Sequence, residues 1–272
     1  MTLPSPLSPP LSPSELSRYR DVGYIELPQL LSRDEVRRLK DEVVRLAGVD
    51  DPGRVLERDG RLVRALHGSH LTSDVCRRLT ELPRMVSLAE SVVGGPVYVY
   101  QFKINFKASF GGDVWPWHQD YIFWRDEDGM PAPHVVNIIV FVDEVTEFNG
   151  PLMIIPGSHK HGVIDARVRE TTPGGWLPDV SADLKYSLDA GAVGTLAGEG
   201  GIVAPKGEAG TGLLFHPNLA HASVPNLSPF DRTMLIVTYN RVDNVPLGRG
   251  PARPGFLVSR DTTPVVAGAE TL

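Results

Sequence analysis

The run Trp117-His118-Gln119-Asp120 sets an imidazole and a carboxylate two residues apart, directly behind a short aromatic stretch. Far downstream, Phe215-His216-Pro217-Asn218-Leu219-Ala220-His221 offers two more imidazoles after another apolar run. Two neutral nitrogens and one carboxylate oxygen on one face of an ion leave three positions open, which on iron(II) serve an organic chelate and O₂. These residue types therefore point to an iron-dependent oxygenase. A zinc hydrolase could use the same ligands, but it would need a nearby general base, and no His-Glu-x-x-His helix is present. If a strand persists through His118 and Asp120, the two side chains share one face and Gln119 points away. Both His216 and His221 are candidates for the third ligand.

Arg232 stands eleven residues after His221, beyond the turn Pro225-Asn226-Leu227-Ser228-Pro229. If the segments on either side of that turn pair, its guanidinium falls a few ångströms past the metal. There it can hold the distal carboxylate of a five-carbon keto-diacid in a bidentate pair, with Ser223 supplying a hydroxyl. Bound 2-oxoglutarate would furnish, by oxidative decarboxylation, the two electrons that O₂ chemistry requires.

These groups need a scaffold, and the pattern of the chain outlines one. Ser12 to Glu15 and Ser32 to Glu35 each read as a capping box opening a helix. Behind the second box, Val36, Leu39, Val43 and Leu46 recur at helical spacing. Further helices are expected over about 72–81 and 83–93, stopped by Gly94-Gly95, and Tyr24 to Leu27 reads as a short strand. Val97 to Lys107 alternates with period two: Tyr100, Phe102, Ile104 and Phe106 on one face, Gln101, Lys103, Asn105 and Lys107 on the other. More strands are expected over 134–142, 152–155, 213–215 and 233–239. Helices first, then many strands without helical crossovers, favour a mainly β jelly roll (a distorted, cupin-like double-stranded β-helix) with flanking α-helices. The expected organisation is a disordered proline- and serine-rich lead-in over 1–13 and a single domain over 14–272. That domain has a helical part at 14–95 and a barrel core at 96–245. Within it, about 161–211 is an irregular, glycine-rich insertion or lid with a possible central strand.

Composition narrows the partners. The chain has 272 residues, 42% of them apolar, with 27 basic against 33 acidic side chains and no basic block, which argues against nucleic acid or an anionic membrane as partner. Cys76 is the single cysteine, so an internal disulfide or a thiolate-rich metal site is excluded. The lead-in lacks the basic-then-apolar order of a secretory signal, so a cytoplasmic protein is expected.

Five segments, taken in order, carry a resemblance: Gln101-Phe102-Lys103-Ile104-Asn105, Trp117 to Asp120, Asp128-Gly129-Met130-Pro131, Asn149 to His159, and His221-Ala222-Ser223 through Arg232. With them the span from about 14 to 245 resembles the phytanoyl-CoA dioxygenase family of iron(II)/2-oxoglutarate oxygenases, and within it ectoine hydroxylase and the free amino-acid hydroxylases. The resemblance implies His118, Asp120 and His221 on Fe(II), which settles the choice between histidines. It also implies Arg232, Ser223, Gln101 and Asn105 around 2-oxoglutarate, with O₂ as co-substrate. Trp124 matches an aromatic beside the substrate. Relative to ectoine hydroxylase, Lys103 replaces arginine, Asn137 a small hydroxyl residue and Met234 an asparagine, which turns the expectation away from ectoine itself. With Trp117, these residues are the expected substrate pocket. The expected reaction is hydroxylation of an unactivated sp³ carbon of a free aliphatic L-amino acid, a small zwitterion anchored by Lys103, with release of succinate and CO₂. An alternative is a carrier-tethered aminoacyl group or larger natural product, which would bring in a carrier protein. A non-enzymatic alternative is a catalytically silent jelly-roll binding protein.

Overall fold

The structure, a computed structural model, describes residues 10–170, 175–248 and 252–272. Most of the expected lead-in lies outside the described residues. Within them Leu11 is already buried in the core, and Ser12 caps α1 (Pro13–Val22) through the expected capping box. Strand β1 (Tyr24–Leu27) follows, then α2 (Arg33–Ala47), which the second box opens at Ser32. The hairpin β2 (Arg54–Leu56) and β3 (Val63–His67) precedes α3 (Asp74–Glu81) and α4 (Pro83–Val93). That hairpin was not expected from the pattern, because its strands are short and lack a clean alternation.

Strands β4 (Val97–Lys107), β6 (Val135–Phe141), β10 (Gly212–Phe215) and β12 (Arg232–Arg241) complete a seven-stranded antiparallel sheet in the order β1-β10-β6-β12-β4-β3-β2. Facing it is a smaller sheet, β5-β11-β7, made from β5 (Trp115–His118), β7 (Leu152–Ile154) and β11 (His221–Ser223). The two sheets form a distorted jelly roll. Period-two alternation divides the large sheet. Phe102, Ile104, Val136, Ile138, Val140, Leu214, Leu235 and Val237 pack outward against Leu39, Val43, Leu79, Met85 and Leu88 of the helices. Ile139, Phe141, Leu213, Phe215, Met234 and Ile236 face inward, together with Ile154 of the small sheet. The polar face of β4 thus looks into the gap between the sheets rather than into solvent, which is unusual enough to mark that gap as a binding site.

Two expectations are corrected here. The strand through His118 ends there, and Asp120 instead opens a short helix, α5 (Asp120–Asp126). Gln119 makes the break: its amide donates to the carbonyls of Gly162 and Asn218 at 2.8 and 2.6 Å and accepts from the Ile164 N–H. It points away from Asp120 as expected, but as the pin of a turn. Secondly, β11 does not pair with β12. It pairs with β5 and β7, while β12 sits between β6 and β4 in the other sheet.

The 161–211 region is less irregular than its glycines suggest, although residues 171–174 lie outside the described residues. It carries the two-residue strands β8 (Arg167–Val168) and β9 (Tyr186–Ser187) and a helix, α6 (Ala190–Gly200). Each helical glycine costs about 1 kcal/mol relative to alanine. Asp189 caps the first turn, and Leu196 is buried near Ile155 and Leu188, which offsets that cost. No helix among the described residues is long and apolar enough to cross a membrane.

Candidate active site

His118 and His221 are direct cross-strand neighbours, β5 against β11. Their rings lie 4.1 Å apart between centroids. Each Nδ1–H can be spent on a carbonyl two residues back, Pro116 O at 2.7 Å and Leu219 O at 2.8 Å. That tautomer turns both Nε2 lone pairs toward Asp120, whose Oδ1 is 3.9 Å from each. Ordering of a ligating histidine by a carbonyl acceptor is the usual outer-layer support of a metal site. On the carboxylate side, Asn137 Nδ2 donates to Asp120 Oδ2 at 2.8 Å, and Thr238 Oγ1 donates to Asn137 Oδ1 at 2.7 Å. The three donor atoms lie within 4.8 Å of one another and form the one such group among the described residues.

Electrostatics prepares the same set. Burial, reinforced by His221, pushes the His118 imidazole down to about 3, and burial lowers His221 as well. Burial opposes the charge of Asp120, yet Lys103, the two histidines and the Asn137 amide together hold it below the usual carboxylate range. Two neutral imidazoles and one carboxylate therefore stand ready without protons to expel, as metal binding requires. His216 is elsewhere: it accepts from the Asn218 N–H at 3.0 Å and packs against the rings of Tyr19 and His159.

The triad opens into a cavity between the sheets. Along one wall Arg232, fully buried, donates through Nη2 to Gly150 O at 2.6 Å, while its Nε has no partner. No carboxylate lies within ion-pairing distance of it among the described residues, and burial lowers its pKa to about 9. Ser223 Oγ and Asn105 Oδ1 line the cavity and are likewise buried without partners. Buried polar atoms left unpaired mark a missing ligand. A dianion with one end at the triad and the other at Arg232 would satisfy the unpaired Nε and hydroxyl.

A family model for phytanoyl-CoA dioxygenase matches residues 19–234. The chain belongs to the phytanoyl-CoA dioxygenase family. It is 47% identical over 262 residues to L-proline trans-4-hydroxylase of Streptomyces griseoviridis, covering 96% of this chain and 97% of that one. It is 35% identical to the ectoine dioxygenase of Sphingopyxis alaskensis, over 92% of this chain and 84% of the relative. The iron-bound structure of the S. alaskensis enzyme superposes with a TM-score of 0.81 at 32% identity, covering 96% and 88% of the two chains. A second structure of that enzyme, with 2-oxoglutarate and 5-hydroxyectoine, gives 0.79 at 33% identity, covering 93% and 85%.

This member of the phytanoyl-CoA dioxygenase family is thus an iron(II)- and 2-oxoglutarate-dependent dioxygenase that hydroxylates a small free substrate through its His-Asp-His triad. When bound, iron and 2-oxoglutarate supply the oxidising chemistry. The protein's own groups would position them: the carbonyls aim His118 and His221, Asn137 aims Asp120, and Arg232 places a buried cation in the same cavity. Burial excludes water from all of them.

Placement of the expected pocket residues is mixed. Gln101, Asn105, Lys103, Trp124 and Met234 line the cavity. Asn137 does not; it is fully buried and acts on Asp120. Trp117 also points elsewhere, packing with the cluster of Ile155, Leu188, Leu196 and Ala220. The irregular register of β5 against β11 instead brings Trp115 to the cavity, where the Arg64 guanidinium lies 3.7 Å over its ring. The sequence reading missed His67, Asp179 and Arg253, all cavity-lining. They come from a short strand, a single turn of 3₁₀-helix and the C-terminal segment, and no spacing relates them. Arg125 and Arg169 pair with Asp126 and Asp183.

Proposed function

We propose that this enzyme hydroxylates a ring sp³ carbon of a free cyclic L-amino acid of about the size of proline. The observation that carries the reading is Lys103. Its Nζ stands 3.8 Å from Asp120 Oδ1, too far for a hydrogen bond, so its three donors are available to a substrate carboxylate beside the metal. Around it the cavity is apolar and compact, with Trp115, Phe123, Trp124, Ile139 and Met234 in its walls. Such a pocket accepts an aliphatic ring and offers no groove of cations for the phosphates of a large acyl carrier. The identity to a proline 4-hydroxylase over nearly the whole chain supports the same reading. In this proposal Arg232 and Ser223 hold the distal carboxylate of 2-oxoglutarate, with Gln101 and Asn105 beside it. The need for reduced iron makes a cytoplasmic location part of the same proposal.

The test is a substrate panel with Fe(II), 2-oxoglutarate and O₂, read by mass spectrometry and succinate release. L-Proline and its ring homologues should gain one oxygen per succinate formed, because a hydrophobic pocket discriminates one methylene by only about 1–3 kcal/mol. Lys103→Met should raise KM for the amino acid and leave KM for 2-oxoglutarate unchanged. Reaction of a carrier-linked prolyl group but of no free amino acid would overturn the proposal.

A further inference from the structure

His67, Asp179 and Arg253 line the same cavity and lie outside the residues proposed to hold the metal and 2-oxoglutarate. Asp179 has a side chain only 3% exposed. Its Oδ2 accepts from Arg253 Nη1 at 3.1 Å, but its Oδ1 is buried with no partner. The guanidinium is already committed: Arg253 Nε donates to Asp128 Oδ1 at 2.9 Å and Nη2 donates to Asp128 Oδ2. One cation therefore serves two carboxylates, and the cluster carries a net negative charge. Independently, His67 is buried with neither ring nitrogen hydrogen-bonded, and burial, reinforced by Lys103 and Arg253, pushes it down to about 3. It is a neutral ring able to accept one hydrogen bond and donate another. His67 is also the register partner of Lys103 across β3 and β4, so both side chains rise from one face about 5 Å apart.

We infer that Asp179 Oδ1 and His67 form the receptor for the substrate's protonated amine, next to Lys103 as the receptor for its carboxylate. The inference rests on the amino-acid reading proposed above and specifies how that amino acid is held. An α-amino acid carries its ammonium and carboxylate on one carbon, matching an anion and a cation that line one cavity with a neutral histidine beside the cation. A secondary ammonium has two N–H donors, and the site offers two free acceptors, Asp179 Oδ1 and one nitrogen of His67. Pinning both charged groups fixes the orientation in which the ring meets the triad. An uncharged or deaminated analogue would leave Asp179 Oδ1 buried without a partner, so the pocket rejects it strongly.

The experiment compares Asp179→Asn with the wild type. In the variant, KM for L-proline should rise at least tenfold while KM for 2-oxoglutarate stays within twofold. The visible band of the Fe(II)–2-oxoglutarate complex and the melting temperature report that site and fold are intact. Cyclopentanecarboxylate, which lacks the nitrogen, should be inert with the wild type, and its disadvantage against proline should shrink in the variant. The Asp179 carboxyl is raised to about 6 by burial, against Arg253 and Lys185 and with Glu127, while His67 in the same cavity wall stays neutral. Wild-type kcat/KM for proline should accordingly fall as pH drops through about 6, and Asp179→Asn should flatten that limb. An unchanged KM for proline in the variant, or an equal rise in both KM values, overturns the inference while leaving the proline reading in place. If the wild type ignores proline, that reading fails first. The same comparison is then run on the substrate the panel yields against its deaminated analogue, and equal use of the two overturns the inference as well.

Discussion

Replacing Arg232 by methionine should have opposite effects on the free protein and on its complex with 2-oxoglutarate. Without the ligand, Arg232 is an ion with one hydrogen bond, to Gly150, a bare Nε and no carboxylate partner. Its pKa, lowered from 12.5 to about 9, corresponds to roughly 5 kcal/mol of disfavoured charge at about 1.4 kcal/mol per unit. Methionine fills similar space without that charge, so the apo variant should be as stable as the wild type or more stable, as when buried ions give way to apolar groups. With 2-oxoglutarate present the balance reverses. Loss of a buried, charge-assisted contact typically costs about 2–4 kcal/mol, which weakens binding roughly 30- to 700-fold. The assay is urea denaturation of the metal-free protein beside anaerobic titration of the Fe(II) protein with 2-oxoglutarate, following the visible band. Iron affinity should change little. An apo variant destabilised by several kcal/mol with unaltered 2-oxoglutarate affinity would show Arg232 to be structural, and would refute the reasoning.

His221→Ala should abolish the Fe(II)–2-oxoglutarate band and His216→Ala should leave it largely intact; the reverse result would exchange the two assignments. Asn137→Ala removes the donor to Asp120 Oδ2 and should lower iron affinity roughly 10- to 100-fold, measured by competition with a chelator, and unchanged affinity would show that Asp120 is held without it. Burial lowers His216 from 6.5 to about 3. It is neutral in both states above pH 6.5, and below that only the unfolded chain takes up its proton. Stability should therefore fall by up to about 1.4 kcal/mol per pH unit between about 6 and 4 on its account. His216→Gln should lessen that slope in urea melts, and an identical slope would contradict the assignment.

What the sequence displayed, and what it hid, follows from how each feature is encoded. The alternation of β4 was legible because Gln101, Lys103 and Asn105 keep strict period two against Phe102 and Ile104. The capped helices were legible because Ser12, Glu15, Ser32 and Glu35 carry their own local chemistry. His118, Asp120 and Arg232 stood out by residue type and order, and the resemblance chose His221 over His216, even though the backbone path was misjudged. No local rule says that Gln119 would divert its amide to distant carbonyls and turn a strand into a helix. Helix α6 hid behind its glycines, since its support is tertiary. Asn137 was assigned to the pocket from the resemblance and Trp117 from its place beside His118, whereas strand parity sends one to the metal carboxylate and the other out of the cavity. His67, Asp179 and Arg253 meet only through the closure of the fold, and their one telling trait, an unpaired buried atom, exists only in three dimensions.

The division of the site between two sheets makes the fold itself a ruler. His118 and His221 belong to the small sheet, and Arg232 begins the central strand of the large one. The distance from triad to guanidinium is therefore set by how far apart packed sheets stand, a spacing of about 10 Å fixed by interdigitating side chains such as Ile154 and Phe215. With Arg232 holding the distal carboxylate as proposed, keto-diacids one carbon shorter or longer should bind less well across that gap. Selectivity for the length of the oxidised co-substrate would then be set by core packing. Core substitutions that thin or thicken the interior should shift that preference without touching any residue that contacts the ligand.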